Sequence, residues 1–209
     1  MNPSSTHIHE ESFDFEHLDT ASLYRLMTEL IVPRPIAFVS TCGADGSHNL
    51  APFSFFNGVS SSPACLVLAC TPKRGGVLKD TLRNIMETRE FVVNGCSEEM
   101  LQQVHQTSYD YDYGVNELEK VGLHALPSTQ VKPMRVVESP WSFECVLHEL
   151  VDVGERGTPG SSVLIIGRIL RAHKKHGPWK PLSRLGGQWY GSTSELAALE
   201  RPKKADQIS

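Results

Sequence analysis

Apolar residues at Leu23, Leu26, Met27 and Leu30 follow the i, i+3, i+4, i+7 spacing of one helix face, so the chain's first element reads as a helix over Thr20 to Leu30. Asp19 or Thr20 can cap its start. The Pro33-Arg34-Pro35 triplet stops the helix and imposes extended chain. Ile36 to Thr41 is then a strand rich in bulky apolar residues, and Ala44-Asp45-Gly46 signals a hairpin into a second strand, Asn49 to Phe56. Cys65 to Cys70 is a short, continuously apolar third strand. The basic, glycine-containing loop Thr71 to Gly76 leads into a helix from about Leu78 to Thr88, with Leu78, Leu82, Ile85 and Met86 inward. Phe91 to Asn94 reads as a strand, and Ser97 caps a short helix that turns Met100, Leu101 and Val104 inward. Gln106 to Val131 reads as loop, with weak periodicity. Two long strands close the pattern: one in which Phe143, Cys145 and Leu147 alternate with Glu144, Val146 and His148, and Ser162 to Arg171. Gly154 to Ser161 is the turn between them.

Five or six strands on short turns, interrupted by three helices, do not form alternating βαβ units. The pattern predicts a mainly β (α+β) fold, an antiparallel barrel with peripheral helices. At 209 residues the chain accommodates one domain with decorations. That divides it into a polar N-terminal arm over 1–18, a domain over 19–200 and a polar tail over 201–209.

Composition narrows the function classes. A net charge of −4 excludes a general nucleic-acid binder, whose affinity would come from clustered Lys and Arg. The longest apolar run, Ala64 to Ala69, is far short of a membrane span, and the acidic N-terminus has no apolar stretch of the secretory kind. Five cysteines without a C-x-x-C are most economically reduced thiols, which predicts a cytoplasmic protein free of membrane.

The sharpest chemical feature is Thr71 to Arg83. Gly75 and Gly76 allow close backbone approach, the helix start offers free N–H groups, and Lys79, Thr81 and Arg83 add cations and a hydroxyl. Together they can seat a phosphate. The other reading is that Asp80 caps the helix while Lys79 and Arg83 are solvated surface. Arg184-Leu185-Gly186-Gly187 with Tyr190 can meet an anion or a ring carbonyl, or be a turn with a surface arginine. The segment Phe53-Ser54-Phe55-Phe56-Asn57-Gly58 is core, or the wall of a flat and polar groove. Arg156 and the Lys174-Lys175 pair are the obvious cations near the strand ends for a nucleotide phosphate, with solvated charge as the plainer role. His7 and His9, and His173 and His176, lack carboxylate or cysteine neighbours at ligand spacing, so no metal site is expected. No G-x-S-x-G and no Ser/His/Asp arrangement is present, so no catalytic side chain is assigned.

These segments in this order resemble the flavin reductase-like FMN-binding split-barrel family, which includes flavoredoxin. The resemblance is carried by Pro33 to Thr41, Asn49 to Ser60, Lys79-Asp80-Thr81 with Asn84-Ile85, Thr107-Ser108 to Glu117, and Arg184 to Gly187. It implies a six-stranded antiparallel Greek-key split β-barrel that forms a homodimer, with FMN in a groove at the subunit interface. It also implies that Phe38, Ser40 and Thr41, together with Ala51, Pro52, Phe53, Ser54 and Phe55, line the flavin ring. Lys79, Asp80 and Thr81 would lie at the phosphate, and Arg184 would approach the flavin from the C-terminal side. The implied activity is an FMN-dependent oxidoreductase or flavin reductase that takes electrons from NAD(P)H or a redox protein. The alternative is a non-enzymatic FMN electron carrier. Gly160-Ser161-Ser162 stands where short flavin-specific reductases of the superfamily often carry Gly-Asp-His.

Overall fold

The computed structural model describes residues 10–199, so the His7/His9 pair and the 201–209 tail lie outside it. Its strands are β1 (Arg34–Pro35), β2 (Ala37–Cys42), β3 (His48–Phe53), β4 (Phe56–Ser61), β5 (Ala64–Cys70), β6 (Glu90–Asn94), β7 (Ala125–Leu126), β8 (Arg135–Val136), β9 (Trp141–Val153), β10 (Ser162–Lys174), β11 (Leu182–Arg184) and β12 (Tyr190–Ser192). The helices are α1 (Thr20–Leu30), α2 (Asp80–Thr88), α3 (Leu101–Gln106) and α4 (Glu117–Lys120).

The principal sheet has seven antiparallel strands in the order β3-β2-β6-β9-β10-β5-β4, one more than expected. The extra strand arises because Asn49 to Phe56 is not continuous. The run breaks at Ser54-Phe55, where the Phe55 carbonyl accepts the Ala69 amide at 2.9 Å, and Phe56 onward pairs with β5. β3 and β4 are the two edges of the sheet, yet only two residues separate them. A fully extended link of that length reaches roughly 10 Å, so the sheet must curl until its edges meet at this corner.

Both faces of the sheet centre are covered, which is why β2 is buried almost throughout. Ala37 and Val39 enter one core with Phe91, Val93, Cys145, Ile165 and the inner face of α2, Leu82 and Ile85. Ile36 and Phe38 enter a second core with Met100 and Val104 from the α3 region and Leu118 and Leu123 around α4. The 106–131 segment, expected as loop, thus supplies α4, β7 and part of a core. Glu144, which alternates with Phe143 and Cys145 along its strand, is fully buried. The 127–135 segment lies over it, and the amides of Thr129 and Gln130 donate to its carboxylate at 2.9 and 2.5 Å.

α1 has the predicted limits, and the Asp19 carboxylate accepts from the Ala21 and Ser22 amides. Its predicted apolar face is nonetheless open: Met27 and Leu30 are exposed, as are Tyr24 and Ile31, and only Thr28 is buried. What anchors the segment is Arg34, 4% exposed. Its guanidinium donates to the carbonyls of Thr28, Ile31 and Leu185 and so ties α1 to the C-terminal strands.

Candidate flavin groove

Two adjoining cavities meet at Pro52 and Ser108. The larger, about 390 Å³, is walled by Pro52-Phe53-Ser54, by Val104, His105 and Ser108 of the α3 end, and by Arg184, Gln188 and Tyr190 of the C-terminal strands. The smaller, about 100 Å³, sits at the start of α2 among Asn49, Ala51, Lys79, Asp80, Thr81 and Glu117. Phe53 and Ser54 thus reach the first cavity, and Lys79, Asp80 and Thr81, the candidate anion seat, line the second.

The start of α2 explains the seat. Lys79, not Asp80, occupies the N-cap, with φ −67° and ψ 147°, and no side chain caps the helix. The Asp80 and Thr81 amides therefore keep their positive ends for a ligand. Lys79 makes no ion pair among the described residues, and its Nζ lies 5.7 Å from the Phe53 ring centroid. The neighbouring charges are already engaged. Asp80 pairs with Lys73 at 3.2 Å, and Lys73 also donates to the Tyr111 carbonyl at 3.0 Å. Arg83, expected at the seat, instead stacks on Tyr113 at 4.0 Å and pairs with Glu87 at 3.4 Å. Thr81 is 1% exposed, and its hydroxyl accepts the Asn49 amide at 2.9 Å, so the side chain is an internal strut.

Gly76 does permit a close approach, but the partner is protein, and Gly75 faces open space. Both take positive φ, and a Cβ on Gly76 would stand 2.5 Å from the Gly157 carbonyl oxygen in the β9–β10 turn. That turn braces the basic loop from behind. Arg156 in the same turn pairs with Asp152 at 2.7 and 2.9 Å at the surface. Lys175 donates to the Val137 carbonyl.

The sequence-expected ring residues divide. Ala51, Pro52, Phe53 and Ser54 lie along the two cavities, as do Lys79, Asp80, Thr81 and Arg184. Phe55 sits just outside, tilted against Tyr24 at 6.1 Å. Phe38 is 0% exposed in the second core and does not reach the groove. Ser40 donates to the Met134 carbonyl, and Thr41 accepts from Asn84 at 3.0 Å, on the far side of Asn49. These β2 residues do not line the groove; Ser40 and Thr41 line a separate cavity of about 330 Å³ with Leu118, Leu123 and Met134. Arg184 is fixed against Tyr190 at 4.4 Å and donates to the Gly187 carbonyl at 2.8 Å.

Sequence reasoning missed His105, whose ring nitrogens lie 3.4 Å from the hydroxyls of Tyr190 and Tyr109. It also missed Glu117. The Glu117 carboxylate is 5% exposed and accepts the Leu50 amide at 2.9 Å, and burial pushes it above the usual carboxylate range. His105 lies on the short helix read after Ser97, and Glu117 comes from the stretch whose apolar spacing is weak. The only signal there was the Thr107-Ser108 to Glu117 motif itself.

Residues 28–186 match the model of the flavin reductase like domain. The chain belongs to the flavin reductase-like family. An uncharacterized protein of Aquifex aeolicus (strain VF5) is 39% identical over 183 residues, covering 85% of this chain and 93% of its relative. Nitrilotriacetate monooxygenase component B from Bacillus cereus superposes with a TM-score of 0.84 at 30% identity, over 91% of this chain and 99% of the other. The 2-nitrobenzoate 2-nitroreductase of Pseudomonas fluorescens gives 0.82 at 28% identity, over 92% and 97%. A split barrel domain from Shewanella frigidimarina, 22% identical with a TM-score of 0.79 over 92% and 100%, shares the fold. The family implies a flavin cofactor and an oxidoreductase. Among the described residues no helix is long and apolar enough to cross a membrane, and no cluster of three metal-ligating side chains occurs.

Proposed function

We propose that the protein is an FMN-dependent oxidoreductase of the flavin reductase type, with the flavin ring in the larger cavity and its terminal phosphate at the start of α2. The observation that carries this reading is the uncapped helix terminus beside the unpaired Lys79, opening into a cavity continuous with a ring-sized one. The residues fit the group. Amide N–H groups of Asp80 and Thr81 and the Lys79 ammonium meet a phosphate, while Pro52-Phe53-Ser54 and Tyr190 offer flat and polar wall to a ring. The smaller cavity suits one terminal phosphate, which favours FMN over FAD. Bound flavin would supply the hydride and electron chemistry. The chain's part is to bind, orient and shield it. Arg184, pinned by Tyr190 and its own turn, holds a fixed positive charge on the wall of the larger cavity. No side-chain acid or base need act.

The electron donor in this reading is NAD(P)H. With Arg156 engaged by Asp152, a nicotinamide is oriented by stacking, and no preference between NADH and NADPH arises from that residue. The working unit is a homodimer. Support comes from α1, which leaves Tyr24, Met27, Leu30 and Ile31 at 57, 39, 69 and 54% exposed in a row next to the groove. Five free thiols, four of them buried, support a reducing, cytoplasmic setting. The test is an absorbance spectrum of the purified protein followed by anaerobic titration with NADH and NADPH. Bleaching of bound flavin by either nucleotide is the expected result. Bleaching by dithionite alone would leave the electron-carrier role in its place.

A further inference from the structure

The small cavity at the start of α2 is walled by three carboxylates, Asp80, Glu117 and the exposed Asp110, although it is built to take an anion. Asp80 is neutralised by Lys73 at 3.2 Å. Glu117 is not neutralised: no cation lies within ion-pair reach of it among the described residues, and its one hydrogen bond to another residue is the Leu50 amide at 2.9 Å, taken by Oε2. Glu117, nearly buried, lines the cavity, and among the described residues no other residue donates to its Oε1. A dianionic phosphate in the same space would face this charge across a few ångströms of low-dielectric protein, where like charges repel strongly. A protonated Glu117 removes the repulsion and converts that oxygen from an acceptor into an O–H donor.

Resting on the phosphate seat argued above, we propose that Glu117 is a proton-linked affinity determinant of that seat, a terminal phosphate entering together with a proton on the Glu117 carboxyl. The groups that set its titration are Asp80 from α2, Lys73 and Lys79 from the basic loop, Asp110 and Tyr111 from the segment across the cavity, and Glu119 and Lys120 on α4 itself. Burial already pushes the carboxyl upward in the ligand-free chain, and the charge of Asp80 adds to that push. The consequence is a linkage. Affinity for FMN falls as the pH rises, by up to about tenfold per unit, with a slope equal to the protons taken up on binding. Above pH 7 the phosphate's own second ionisation, near 6, is complete and does not contribute to the trend. Riboflavin, which leaves the seat empty, shows no such dependence.

The test is calorimetric titration of the full chain with FMN and riboflavin between pH 6 and 8.5, in buffers of different ionisation enthalpy. Wild type, Glu117→Gln and Asp80→Asn are compared. Glu117→Gln keeps a carbonyl oxygen for the Leu50 amide. The expected result is proton uptake with FMN alone in wild type and Asp80→Asn, and none in Glu117→Gln, whose FMN affinity stays flat above pH 7. Uptake that persists in Glu117→Gln, or that disappears in Asp80→Asn instead, overturns the proposal. If Glu117→Gln does not fold, the wild-type chain decides: absence of uptake with FMN overturns the proposal, and uptake with FMN but not riboflavin that survives Asp80→Asn sustains it. Equal affinity of wild type for FMN and riboflavin at pH 6, the acid end of the range where FMN should hold its largest margin, overturns the phosphate seat itself. That failure is visible before any pH is varied.

Discussion

Two buried carboxylates in this molecule are treated in opposite ways. Glu144, at the centre of the sheet, is fully enclosed. It accepts the amides of Thr129 and Gln130 and the Thr129 hydroxyl, and His173 lies 2.6 Å away. Burial alone would push its carboxyl up, but these donors outweigh it and hold the group below the usual range. Glu117 has one such donor and a cavity on its other side, and there burial wins. A buried charge whose partners are complete is part of the scaffold. One left half-satisfied beside a cavity marks where something else binds.

The largest effect that tests this contrast is expected at Glu144. Glu144→Ala strands buried amides and His173, a loss of about 3–5 kcal/mol in denaturant unfolding. A loss below about 1 kcal/mol would show the clasp over 127–135 to be ornamental. Next comes Lys79→Ala, which removes a charge-assisted contact worth about 1.5–3 kcal/mol to FMN while leaving riboflavin nearly unchanged. Fluorescence titration with both ligands reads it, and equal losses would move the phosphate elsewhere.

The pH dependences of the two carboxylates should differ in sign. Glu144 has a depressed folded-state value, so its stabilisation is present above the unfolded carboxylate range and fades as the pH falls through the folded value. Glu117 has a raised value, so its contribution is present below the unfolded range and is lost as the pH rises through the folded one. Glu117→Gln should therefore gain stability relative to wild type between pH 4 and 8, by about 1 kcal/mol or more for each unit of upward shift, whereas Glu144→Gln should lose it. Parallel unfolding curves for the two variants would break the comparison. Smallest of all is Arg156→Ala. Its half-exposed pair with Asp152 is worth about 0.2–1 kcal/mol, and any NADH/NADPH preference should survive its removal.

What could be read from the sequence was what lies close together in it. The limits of α1, the long strands and the start of α2 all rest on contiguous residues, so periodicity and helix-terminus chemistry suffice. The burial of Glu144 was not legible because strand alternation reports the sheet's pleat and not whether a distant loop covers that face. Ser54-Phe55 looked like strand because both flanks are apolar, and the break exists only because the sheet's two edges meet there. Glu117 and His105 belong to a segment whose contacts reach β3 and the C-terminal strands, beyond any local pattern. The resemblance implies Phe38, Ser40 and Thr41 at the ring, but Phe38 is packed in the second core and Ser40 and Thr41 line a separate cavity beside α4, placements that only long-range packing decides.

The central claim is that a flavin lies in the groove with its terminal phosphate at the start of α2. Side-by-side fluorescence titration of the ligand-free chain with FMN, FAD and riboflavin tests it most directly. FMN should bind tightest, exceeding riboflavin by about tenfold or more, with that margin lost in Lys79→Ala. Riboflavin binding as tightly as FMN, or FAD binding tighter than both, would contradict the account.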